Sequence, residues 1–227
     1  MRSFNDGSEV DNMSKSQTLA DFFGVDEVTF AHPTPKDVIA STAHLIIDVQ
    51  KFYADPNYLP DPENPGAFKG GDEYTEEKTN NIVGLIPKFR DAGLQIYHVY
   101  SRKNSKDTPE ESYGGWYKVQ PDPETDEILK KTQSSAFKYT DLTKTLHDNG
   151  VKNLIVSGFN TNTCIYESVM DALSREFNVC IAYDTVDNGA GWHGTDQTEI
   201  REMKEAGAVI SDSEEILEVL HQLNEPS

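Results

Sequence analysis

A thiol, a carboxylate and an amine stand at places where a strand-rich chain could bring them together. Cys164 follows the run LIVSGFNTNT and opens the segment CIYESVMDALSREF. A cysteine in the first turn after a strand meets the free N–H groups and positive end of a helix, which favour a thiolate. Most free cysteines are small buried hydrophobes, but a core position has no need of the polar lead-in NTNT. Asp48 lies at the end of the apolar run in AHLIIDVQ, where a carboxylate is costly to bury without a partner. Lys131 closes DEILKK, and an ammonium between a carboxylate and a thiol favours the charged form of each. A nucleophile, a base and a cation that converge are equipped for covalent attack on a carbonyl.

The elements that must carry these groups alternate between two periodicities. Compact apolar runs at 43–50, 94–101, 126–131, 152–159, 178–184 and 208–211 predict six strands. Helical spacing predicts helices at 75–93 (with Pro87 inside the pattern), 140–150, 163–177, 195–207 and 213–223. LADFFGVDEV predicts a short helix, and the two prolines of HPTPKD predict an extended lead-in. The Pro-, Gly- and Asp-rich stretches 51–74 and 102–125 predict long loops. This alternation implies a three-layer α/β/α domain with a six-stranded, mostly parallel, Rossmann-like sheet. Ligands bind such sheets beyond the C-terminal strand ends. Asp48, Ser101, Lys131 and the segment 158–164 therefore become expected neighbours. The polar, aperiodic residues 1–17 read as a flexible tail and 18–227 as a single domain.

Composition narrows the partners. The 227 residues hold 20 Lys and Arg against 39 Asp and Glu, a net charge of −19, which disfavours nucleic acid and anionic membrane. No apolar run approaches the roughly 18 residues of a membrane span. MRSFNDGSEV carries no apolar leader, so a cytoplasmic location is expected. Two cysteines, Cys164 and Cys180, make neither a disulfide framework nor a zinc motif. Cys180, within VCIAY, reads as core.

LIIDVQ, then KTQSSAF followed by TDL, then SGFNTNTCI with a downstream DA at 171–172, resemble the isochorismatase-like cysteine hydrolase superfamily. That group includes nicotinamidases, N-carbamoylsarcosine amidohydrolases and isochorismatases, and the likeness runs over residues 43–211. The resemblance implies Cys164 as nucleophile, Asp48 as acid and base, and Lys131 as their cation. It implies a cis peptide at Phe159–Asn160 and an oxyanion hole made by the N–H groups of Asn160 and Cys164. It also implies homo-oligomers, as dimers or tetramers. Metal-using relatives carry an Asp and clustered histidines after the first strand. Here that region, QKFYADPNYLPDPENPGAFKGGDEY, has no histidine, so neither a metal nor another cofactor is expected. His98 reads as packed.

The implied activity is cleavage of the C–N bond of a small amide, ureide or carbamoyl compound through a thioester. The alternatives are vinyl-ether hydrolysis, which isochorismatases perform without requiring a cysteine nucleophile, and a non-catalytic binding role. Phe52, Tyr53, Tyr113, Trp116, Phe137 and Trp192 are candidate pocket walls for the small-molecule substrate. Arg102 is a candidate partner for a substrate carboxylate. Tyr166 and His193 are candidate pocket residues.

Overall fold

Six consecutive buried residues, Thr42–Ile47, form strand β1, because a run of this kind is stable only with both faces covered. The computed structural model describes residues 17–24, 34–58, 71–102, 106, 108–189 and 197–225. The predicted tail up to residue 16 lies outside the described residues, as do Trp192 and His193. Around β1 stand β2 (Gln95–Ser101), β3 (Asp126–Lys131), β4 (Asn153–Phe159), β5 (Asn178–Asp187) and β6 (Val209–Ser211). All pairings are parallel, in the order β3-β2-β1-β4-β5-β6. The chain builds outward from β1 to one edge, then returns to the other side of β1 through β4. Strand order thus reverses between β1 and β4, where an open α/β sheet leaves a crevice.

Strand alternation sorts the apolar residues onto two faces. Ile46, Ile96, Ile155 and Cys180 pack against helices α1 (Leu19–Phe23), α2 (Pro35–Ala40), α4 (Glu73–Asp91) and α8 (Ser213–Asn224). Leu45, Ile47, Val99, Val156 and Ile181 pack against α5 (Leu142–Asp148), α6 (Tyr166–Leu173) and α7 (Gln197–Glu205). Each fully buried Ile or Leu contributes about 1.5–3 kcal/mol. One further helix, α3 (Lys51–Ala54), interrupts the stretch expected to be a loop. No helix among the described residues is long and apolar enough to cross a membrane.

Several boundaries differ from expectation for identifiable reasons. The lead-in expected to be extended is helical from residue 35, because Pro35 occupies the first helical position and Thr34 and Asp37 cap it reciprocally. Pro87 does not end α4. Buried Ile82, Leu85, Ile86 and Phe89 hold the helix through it to Asp91, offsetting the roughly 3 kcal/mol an interior proline costs. β5 runs past the predicted 184 to Asp187, with a register shift against β4 between Val156 and Gly158. Gly158, at φ +122°, is paired with Ile47 at the end of β1. A Cβ there would lie 1.9 Å from the Ile47 carbonyl oxygen. No residue but glycine fits beside the strand end that delivers Asp48.

Candidate active site

Asp48 stands one residue beyond β1 with φ +55°, a left-handed conformation that aspartate tolerates better than most residues. This turn takes the carboxylate out of the β1 ladder, while its N–H donates to the Val99 carbonyl at 2.9 Å. Lys131 is the last residue of β3, the edge strand, yet its side chain is buried. Cys164 lies in a single π-helical turn, Thr161–Ile165, between β4 and α6. The Phe159–Asn160 peptide before it is cis.

These three side chains meet. Lys131 Nζ lies 2.7 Å from Asp48 Oδ2 and donates to Cys164 Sγ at 3.2 Å. It also donates to Ser101 Oγ at 2.8 Å and to the Gln133 carbonyl at 3.2 Å. Asp48 Oδ1 is buried and has no hydrogen-bond donor among the described residues. Burial works against the Lys131 ammonium, but the Asp48 carboxylate and the Cys164 sulfur beside it outweigh that cost and hold the amine above its ordinary value.

The thiol differs from expectation. Burial first, and the Asp48 charge second, push the Cys164 thiol up to about 12, with Lys131 only partly opposing them. The expected effect of a helix start does not win, because Cys164 is fourth in a buried π-helical turn rather than first in an exposed α-helix. At rest Cys164 is therefore a neutral thiol, and a thiolate forms only when a base removes its proton. Alkylation of Cys164 by iodoacetamide is accordingly expected to be slow at pH 7. Its rate should rise about tenfold per pH unit toward the thiol's own value, because only the thiolate reacts. A rate already at its plateau at pH 7 contradicts a neutral resting thiol.

Hydrogen bonds explain motif residues that have no chemistry of their own. Ser168 Oγ donates to the Cys164 carbonyl at 2.5 Å and accepts from the Ala136 N–H at 2.9 Å. Ser135 Oγ donates to Asp171 Oδ2 at 2.5 Å, and Asp171 also accepts from Arg175 at 2.8 Å. The segment after Lys131 is thus docked onto α6, which fixes the lysine relative to the cysteine. Asn188, which the sequence reading missed, accepts from the Asn162 N–H at 2.7 Å and braces the π-helical turn from the end of β5.

The pocket candidates divide. Tyr53 is near Asp48 and Cys164. Burial, then the charges of Asp48 and Cys164, raise its phenol well above the ordinary value. Phe52 and Tyr113 pack with Tyr53, with ring centroids 4.9–5.5 Å apart. Arg102 follows β2, its N–H bonded to the Lys131 carbonyl at 3.1 Å. Three other candidates are elsewhere. Phe137 is core, packed on Phe177 at 5.9 Å with Arg175 over its ring. Trp116 packs edge-on against His98 and Tyr100 of β2. Tyr166 points to α7, where its hydroxyl donates to Glu202 at 2.9 Å. It lines an open depression on the outer side of α6 with Lys138, Asp171 and Arg175. His98 is packed as expected, bonded to Asp126 at 3.1 Å.

The sequence profile of the Isochorismatase domain matches residues 42–215. An uncharacterised isochorismatase family protein, YddQ of Bacillus subtilis (strain 168), is 28% identical over 145 residues, covering 62% of this chain and 73% of that protein. A cysteine hydrolase from Pseudomonas syringae pv. phaseolicola 1448A has a similar fold. Its TM-score is 0.67 at 19% identity, over 82% of this chain and 94% of that one. The zinc-bound pyrazinamidase of Pyrococcus horikoshii gives 0.59 at 24% identity, over 76% and 99%. No three His, Cys, Asp or Glu side chains converge among the described residues. Asp55, the described acidic residue that follows α3, accepts from the Asn57 N–H at 2.9 Å in a local turn. The profile match spans all six strands and every residue of the buried Asp48–Lys131–Cys164 cluster, and on that ground the chain belongs to the isochorismatase family of hydrolases.

Proposed function

We propose that this hydrolase is a metal-independent cysteine amidohydrolase that cleaves the C–N bond of a small amide, ureide or carbamoyl compound. The observation that carries the reading is the buried ammonium of Lys131, within 2.7 Å of the Asp48 carboxylate and 3.2 Å of the Cys164 sulfur. Asp48 takes the thiol proton as Cys164 attacks the carbonyl carbon. Negative charge on the carbonyl oxygen is met by the N–H groups of Asn160 and Cys164, each donor typically worth about 2.7–4 kcal/mol. Asp48 returns the proton to the departing nitrogen and the C–N bond breaks. It then takes a proton from water as that water attacks the thioester, and gives that proton to the sulfur as the C–S bond breaks and the acid leaves. Lys131 keeps the carboxylate in place and offsets its charge through both steps.

A panel of small amides, ureides, carbamoyl compounds and vinyl ethers, read by ammonia or amine release and by ether cleavage, tests the reading. Release from at least one nitrogen substrate, absent with Cys164→Ala, is the expected result. Turnover of a vinyl ether that survives Cys164→Ala would establish ether hydrolysis instead. Stoichiometric binding of a panel compound without turnover would establish a binding role.

A further inference from the structure

We infer that Ser101, clamped by Gln50, is a positioning residue that aims the Lys131 ammonium at Asp48 and Cys164. The inference rests on the reading of these three groups as a catalytic set. An ammonium has three protons, and this one has four neighbours. Its short contacts are Asp48 at 2.7 Å and Ser101 at 2.8 Å, and its longer ones are Gln133 and Cys164 at 3.2 Å each. Lys131 hangs from an edge strand by a long, flexible side chain, so the backbone alone does not fix where its nitrogen sits. Ser101 is its register partner on β2 and supplies the one short contact besides the carboxylate.

Ser101 is itself held at both ends. Its N–H donates to Gln50 Oε1 at 2.9 Å, and its carbonyl accepts from Gln50 Nε2 at 3.1 Å. Gln50 is fully buried and spends its remaining donor on the Ser112 carbonyl at 2.8 Å. A buried carboxamide with both ends satisfied is rigid, since moving it would strand polar groups away from water. The ends of β1, β2 and β3 are thereby locked in sequence: Gln50 to Ser101, Ser101 to Lys131. The same amide reaches the 108–117 turns that carry Tyr113, whose carbonyl accepts from the Phe52 N–H at 3.0 Å. The aromatic wall and the ammonium therefore share one buried fixture.

The test compares wild type, Ser101→Ala, Ser101→Thr and Cys164→Ala. The first readout is the pH dependence of iodoacetamide alkylation at Cys164, with Cys164→Ala as the blank, which requires no substrate. The second is kcat and KM on whichever panel compound turns over. Ser101→Ala is expected to slow alkylation about 3- to 10-fold at each pH, because a loosely held ammonium stabilises the thiolate less. It should lower kcat by about 10- to 100-fold, the range for losing a hydrogen bond to a charged group, with KM changed less than threefold. Ser101→Thr, which keeps the hydroxyl, should restore both. Thermal melting establishes that the variants are folded, and Ser101→Gly, which keeps the Gln50 clamp, replaces the alanine variant if that one does not accumulate. Alkylation within twofold of wild type in the folded hydroxyl-less variant overturns the inference whatever the substrate proves to be. So does a threonine variant as slow as alanine. A wild type that alkylates as described yet releases no amine from any compound would instead count against the amidase reading alone.

Discussion

Cys164→Ala should abolish amine release, with kcat lower by about 10⁴- to 10⁶-fold, the scale seen when a nucleophile acting within a catalytic unit is removed. No second thiol can replace it. Cys180, the other cysteine, lies fully buried in β5 on the opposite face of the sheet. The fold should survive, because the change removes one sulfur while Lys131 keeps Asp48, Ser101 and the Gln133 carbonyl as partners. Parallel amine-release assays and thermal melts check both halves. Residual turnover above about 1% of wild type would remove Cys164 from the chemistry, since no group with comparable nucleophilicity would remain.

Lys131→Met should cost stability as well as rate. The side chains of Lys131 and Asp48 are 1% and 0% exposed, so the substitution leaves a carboxylate buried without its counter-charge. Breaking such a pair from one side costs about 3–5 kcal/mol, a fall in Tm on the order of 10 °C for a chain of this length. Asp48→Asn in the same protein should recover part of the loss, because two neutral side chains need no mutual compensation. The double-mutant cycle should then show strong coupling. Denaturant melts of the two single variants and the double variant measure it. Single variants as stable as wild type would mean that the pair is solvated in solution.

Much of this arrangement was legible in the amino acids because polar residues are anomalous where apolar strands end. Asp48 and the NTNTC segment each break a run that burial would otherwise explain, and parallel topology brings such breaks to one rim. Lys131 ends the charged, mostly exposed strand DEILKK and was marked only by its spacing before SSAF. The aromatic candidates were less legible. Phe137 and Trp116 are apolar residues near the right segments, and nothing in side-chain type says whether a ring faces a ligand or a neighbour. The direction of Tyr166 is set by the π-helical turn before it, which spacing did not disclose, and the ring swings toward Glu202. The proton on Cys164 was hard to read for a related reason. Sequence marks where a helix begins but not how deeply that start is buried, and here burial and then the Asp48 charge push the thiol up. Gln50 stood in view as part of LIIDVQ, yet its task is intelligible only once Ser101 is seen to lie across from it.

The left-handed backbone at Asp48 limits how this position can drift. Asparagine and glycine adopt that geometry with similar ease, and both discard the carboxylate. Glutamate preserves the charge but is less at home in the conformation, and its extra methylene must find room beside the closely packed Ile47–Gly158 junction. No gradual path of intermediate acids leads away from this aspartate. A descendant that abandons it gives up the carboxylate in one step, and the lysine 2.7 Å away is left as a buried charge that selection must then remove.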